Sequence, residues 1–91
     1  MKRINFLDIT PDMFDDIKGK EVSVLFYENG TIVKTVKGNV TQINRSAPIA
    51  CKMETSLLES IVLDDKQSVT VREALEFIDS SSSKQVFVEY K

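Results

Sequence analysis

Two alternating runs meet at Asn29-Gly30, and this junction constrains the fold of the chain more than any other feature. A two-residue hairpin loop needs positive φ at both central positions, which Asn tolerates and Gly adopts freely. Before the turn, Val22, Val24 and Phe26 point one way and Ser23, Leu25 and Tyr27 the other. After it, from Thr31 to about Ile43, Ile32, Lys34 and Val36 alternate with Val33, Thr35 and Lys37 until Gly38 interrupts the run. The pattern predicts an antiparallel pair with a kink or bulge at Gly38. Leu25 and Val33 make the second face partly apolar too, as expected of a sheet curling toward a small barrel.

The flanks supply shorter elements. Thr10 suits an N-cap and Pro11 the first helical position, and Ile9 and Phe14 stand where a hydrophobic staple would clamp a helix over about 11–17. Its apolar face is Met13, Phe14 and Ile17; its opposite face is Asp12, Asp15 and Asp16. After a loop at 44–48, Ile49 to Met53 and roughly Leu58 to Leu63 read as strands, and Asp64 to Gln67 as a turn. Thr70 followed by Glu73 is a capping box that opens a second helix to about Ile78, with Val71, Ala74, Leu75 and Ile78 inward and Arg72 and Glu76 spaced to pair. Ser80 to Ser83 is a polar connector, and Gln85 to Tyr90 a closing strand. The sum is one α+β domain over residues 1–91. It is a small twisted antiparallel sheet or an SH3/Sm-like barrel, with an N-terminal helix and a second short helix before the last strand.

Residue types narrow the chemistry. The 91 residues include no His, no Trp and one cysteine, Cys51, which removes the usual general base and any Cys-His nucleophile and argues against an enzyme. Cys51, within Pro48-Ile49-Ala50-Cys51, reads as a small core residue rather than a reactive thiol. The pairs Asp15-Asp16 and Asp64-Asp65 lack the spaced oxygen ligands of a calcium loop, so no metal is expected. Gly19, Gly30 and Gly38 lie too far apart to cradle a phosphate, so no cofactor is expected either. Serines 80–83 beside Lys84 read as a connector, not a Ser-Lys nucleophile. Met1-Lys2-Arg3 is not followed by an apolar run approaching the roughly 18 residues of a membrane span, so the expected setting is cytoplasmic. A domain this short buries only about 60–65% of its unfolded surface, and homodimerisation would add to its stability.

Charge is distributed unevenly. Residues 21–53 carry four basic side chains against two acidic ones, whereas 54–80 carry two basic against seven acidic. Glu73, Glu76 and Asp79 recur along the second helix, and Asp79 lies near its C-terminus, where the macrodipole disfavours negative charge. Together with Asp12, Asp15 and Asp16 they form the candidate partner-binding set, complementary to a basic protein surface. The expected function is therefore a non-enzymatic adaptor or inhibitor that docks on a basic host protein; in its sharper form it mimics the charge of DNA and blocks a DNA-binding protein. The alternative is an Sm-like nucleic-acid-binding module using a Lys34/Lys37 hairpin face with Tyr27. Dispersed basic residues and a net charge of −2 predict no tight direct binding of nucleic acid.

The stretch Gly19 to Thr31, then Val36-Lys37-Gly38-Asn39-Val40-Thr41-Gln42-Ile43, then Ser60-Ile61-Val62-Leu63-Asp64-Asp65, resembles the YolD-like family. The shared outline is a polar hairpin, a G-x-V-x-x-I segment and an Ile-rich strand, and it spans roughly residues 19–78. The resemblance implies a small Sm/SH3-like barrel of the kind found in Gram-positive bacteria, their phages and mobile elements, some beside repair polymerases. The acidic segment 54–80 and the strand after the serine run depart from that outline, and no functional residue is carried over.

The hairpin assignment carries a direct test. Gly30→Val forces a β-branched residue into positive φ and is expected to cost about 1 kcal/mol or more, read as a lower midpoint of chemical denaturation.

Overall fold

The computed structural model describes residues 2–45, 58–80 and 83–91. The strands are β1 (Lys2–Asn5), β2 (Glu21–Glu28), β3 (Thr31–Arg45), β4 (Leu58–Leu63), β5 (Gln67–Thr70) and β6 (Lys84–Tyr90). The helices are α1 (Phe14–Ile17) and α2 (Val71–Asp79), and 3₁₀ turns occupy Phe6–Asp8 and Pro11–Met13. Among the described residues all pairings are antiparallel, in the order β1-β6-β2-β3-β4-β5, with β1 and β5 at the two ends of that order.

The Asn29-Gly30 turn is as the sequence predicts. Asn29 has φ 54° and Gly30 φ 79°, and Glu28 pairs directly with Thr31. The Asn29 N–H donates to the Ser83 carbonyl at 3.1 Å, which ties the turn to the start of β6.

β3 organises the sheet. Fifteen residues of straight strand would reach about 50 Å, longer than the 40 Å greatest extent of the molecule, so the strand has to curve. It does so by changing partners: Thr31 to Asn39 pair with β2, and Val40 to Arg45 with β4. Gly38 itself pairs regularly with Val22, which corrects the expected bulge there; the irregularities fall between Val40 and Gln42, Asn44 and Arg45, and Phe26 and Tyr27. Gly38 is required for a different reason. A Cβ at this position would lie 2.5 Å from Asp64 Oδ2 and 3.1 Å from Leu63 Cβ.

The bend is clamped from both sides. On one side the Gly19 N–H donates to the Val40 carbonyl and the Val40 N–H to the Lys20 carbonyl, both at 2.9 Å. On the other, the β4–β5 turn docks on β3. Asp64 donates its N–H to the Asn39 carbonyl at 2.8 Å and accepts the Asn39 N–H on Oδ1 at 3.0 Å. Thr41 Oγ1 accepts the Asp65 N–H at 3.1 Å and donates to the Val62 carbonyl at 3.3 Å. Asp64 and Asp65 both have φ 55°, a conformation that short Asx side chains tolerate better than most.

One face of the sheet carries a single core. Val22, Val24 and Phe26 of β2, Val36 and Val40 of β3, Ile61 and Leu63 of β4, and Val86, Val88 and Tyr90 of β6 pack with Phe6, Ile9, Phe14 and Ile17 from the N-terminal segment and Ala74 from α2. The N-terminal helix is shorter than expected. Pro11–Met13 forms a 3₁₀ turn and only one α-turn follows, while Thr10 is extended but makes no side-chain cap. In α2, Thr70 Oγ1 accepts the Glu73 N–H at 2.9 Å, as the capping box requires. Ala74 is fully buried, but Leu75 is 43% exposed and Phe77 takes the inward place, meeting Phe26 edge-to-face at 5.1 Å. Arg72 and Glu76 form no ion pair among the described residues.

Lys2–Asn5, to which the sequence assigns no element, is a strand paired with β6, and one further expectation is revised: Val33, expected to help cover the second face, is 52% exposed. The expected strand at 49–53 and the core placement of Cys51 lie outside the described residues.

The clamp at Gly38 makes a sharp prediction. Gly38→Ala overpacks against Asp64 and Leu63 and is expected to cost about 1–3 kcal/mol. An Asp64→Gly background, which removes the nearest atom and suits φ 55°, should reduce that cost in a double-mutant cycle read by chemical denaturation.

Candidate functional site

The six candidate carboxylates are all at the surface or partly so, but they differ in what they touch. Asp12 accepts a hydrogen bond from the Thr10 hydroxyl. Asp16 sits between two ammonium groups, with Lys2 Nζ at 3.4 Å and Lys20 Nζ at 3.5 Å. The Lys2 charge first, and the Lys20 charge second, hold the Asp16 carboxyl below the usual aspartate range. Glu73 is paired with Lys34, Nζ to Oε2 3.2 Å. Asp15, Glu76 and Asp79 are exposed and make no hydrogen bond or ion pair among the described residues.

The two helices that carry most of the set pack on different elements. α2 packs against β4, β5, β6 and the turn at Phe6–Asp8, whereas α1 packs against Pro11–Met13. Where α2 faces β4, an open groove of about 690 Å³ is lined by Leu58, Glu59, Ser60, Thr70, Val71, Arg72, Leu75, Glu76 and Asp79. Its floor is apolar, and its charged rim has three carboxylates to one guanidinium. Glu59 belongs to this rim but was not among the expected site residues; alternation along β4 places it on the same face as the buried Ile61 and Leu63, and nothing local in the sequence marks it as exposed or connects it to α2.

Asp79 closes α2 at the unfavourable end of the helix dipole. Lys84 offsets this, because its Nζ donates to Ser80 Oγ at 2.7 Å and lies 4.8 Å from the Phe77 ring centroid. The Ser80 hydroxyl in turn donates to the Phe77 carbonyl at 2.7 Å. Ser80 and Lys84 therefore do come together, as a helix C-terminal cap in which the hydroxyl proton is engaged by a carbonyl and the ammonium acts as donor.

The basic residues of the hairpin are separated. Lys34 lies opposite Phe26 on the core side of the sheet, 5.0 Å from its ring centroid, and reaches Glu73. Lys37 lies opposite Ser23 on the other face. On that outer face Tyr27 and Phe87 meet edge-to-face at 5.6 Å, and the Arg3 guanidinium covers both rings while pairing with Glu89 at 3.0 Å and donating to the Tyr27 hydroxyl. A nearby hollow of about 440 Å³ is lined by Lys20, Lys37 and Lys91 but also by Glu21 and Glu89. Lys20 there is turned to Asp16 and to the Lys91 carbonyl at 3.2 Å.

Among the described residues no group of three or more Cys, Asp or Glu could hold a metal ion, and no helix is long and apolar enough to cross a membrane. Compared with protein-family models, curated proteins and solved structures, the chain matches none.

The Asp16 pairing predicts a pH signature. A carboxyl whose folded pKa is depressed contributes stability above its unfolded value, and loses it as pH falls through the folded one. A carboxyl-detected NMR titration should place Asp16 below the usual aspartate range of about 3.9. Lys2→Ala should move it back toward that range, and the shift should shrink in high salt.

Proposed function

We propose that this protein is a non-catalytic protein-binding module, an adaptor or inhibitor, which docks through its acidic face on a basic partner protein. The observation that carries the reading is the contrast among its carboxylates. Asp16 and Glu73 are neutralised by lysines of the same chain, while Asp15, Glu76 and Asp79 stand exposed with no cation among the described residues. Charges left unscreened in this way contribute little to stability but raise the rate of encounter with an oppositely charged surface. The lopsided charge along the chain supports the sharper form, an acidic surface that substitutes for DNA on a nucleic-acid-binding host protein. The long curved β3, shared between two strand partners, favours an SH3/Sm-like barrel as the underlying arrangement, in keeping with the resemblance to the YolD-like family.

The nucleic-acid alternative has less support. It needs Lys34 and Lys37 on one face, and they lie on opposite faces with Lys34 already paired. The aromatic rings that could stack with bases are covered by Arg3.

Capture from a bacterial lysate with and without nuclease, followed by binding kinetics on the recovered partner, tests the proposal. Reversing Asp15, Glu76 and Asp79 to Lys should slow association about tenfold or more at low salt and change dissociation less, with an unaltered circular dichroism spectrum. A partner that binds the reversed variant as fast as the wild type, and is indifferent to salt, would reduce the acidic face to a solvated surface.

A further inference from the structure

We infer that the groove between α2 and β4 receives a basic amphipathic segment of the partner, seating a large apolar side chain over Leu58, Val71 and Leu75 while flanking Lys or Arg residues meet Glu59, Glu76 and Asp79. The inference rests on the protein-binding reading above and specifies what that surface recognises.

Two independent features of the groove point to this occupant. The first is apolar. α2 turns Ala74, Phe77 and Ile78 toward the core, yet leaves Leu75 43% exposed beside Val71 and the buried Leu58. A surface built only to present charge has no use for such a floor. The second is electrostatic. Glu59, Glu76 and Asp79 outnumber Arg72 around that floor, so an apolar segment flanked by cations gains on entry and one flanked by carboxylates is repelled.

The groove is open to solvent along its length and encloses about 690 Å³. Amphipathic segments laid in such clefts anchor through apolar residues at helical spacing, and basic ones suit an acidic rim. Other occupants fit less well. In a two-fold contact between copies of this chain, the same patch meets itself and places acidic rim against acidic rim. An anionic lipid surface is repelled by the same carboxylates.

The test uses the full chain and two synthetic peptides of about 14 residues with equal positive charge, one Lys/Leu with leucines at helical spacing and one Lys/Ser. Fluorescence anisotropy at about 50 mM salt should show the Lys/Leu peptide binding at least about tenfold more tightly than the Lys/Ser peptide. Leu75→Ser should weaken the Lys/Leu peptide about fivefold or more, and Glu76→Lys with Asp79→Lys about tenfold or more, both variants keeping the wild-type melting curve. Amide shift changes in NMR spectra should cluster at 58–60 and 70–79.

Equal affinity for the two peptides, with Leu75→Ser inert and the charge reversal effective, would overturn the groove and leave the acidic docking surface standing. Shift changes centred on β2 and β6 would also overturn it. Failure of both peptides to bind would remove the groove and the acidic reading together. Self-association that Leu75→Ser abolishes, without peptide binding, would assign the floor to a second copy instead.

Discussion

The bend in β3 is the constraint on which the rest of this structure depends. A strand of this length inside so small a molecule must curve, and the curve is fixed where Asp64 fits against Gly38 and where Gly19 and Lys20 pair with Val40. Because the strand bends, its first half completes a ladder with β2 and its second half opens a new one with β4. The same bend brings Leu63 and Ile61 of β4 into one core with Val22, Val24 and Phe26 of β2. Without it, β4 and β5 would have no shared interior on which to seat α2.

From that frame the electrostatics follow. Seating α2 over the sheet places Glu73 within reach of Lys34, and the N-terminal segment brings Asp16 between Lys2 and Lys20. These exposed pairs are each worth little energetically, yet they decide which carboxylates stay available. Besides Asp15 on α1, the charge that remains includes Glu76 and Asp79 on α2 and Glu59 of the adjoining strand, beside exposed Leu75. An acidic rim and an apolar floor in one groove combine the two properties that a protein-docking surface needs, long-range attraction and short-range burial.

Local signals were readable where the chemistry is local. Asn29-Gly30 and the Thr70-Glu73 cap announce themselves through backbone conformations and hydrogen bonds closed within four residues. Alternation in β2 and β6 identifies the core face for the same reason, since the period of two is a property of the strand itself. The misreadings arise where two faces compete. Leu75 and Phe77 both fit a helical stripe with Val71 and Ala74, and only the position of Phe26 makes Phe77 the inward residue. Lys2–Asn5 carries no strand pattern of its own and becomes one by pairing with β6.

The sequence by itself determined the hairpin, the strand-rich class, the capped second helix and the excess of acid in the C-terminal half, because each is set by residue type and short-range spacing. Tertiary structure decided the role of Gly38, the neutralisation of Asp16 and Glu73, the separation of Lys34 from Lys37 and the joining of Glu59 to Glu76 and Asp79 around one groove. Each of these depends on atoms brought together by the curvature of β3 or by the docking of a helix on a sheet. Most such contacts join residues far apart in the chain, as in Lys2 to Asp16 at 14 positions or Lys34 to Glu73 at 39, and no local pattern encodes a distance between them.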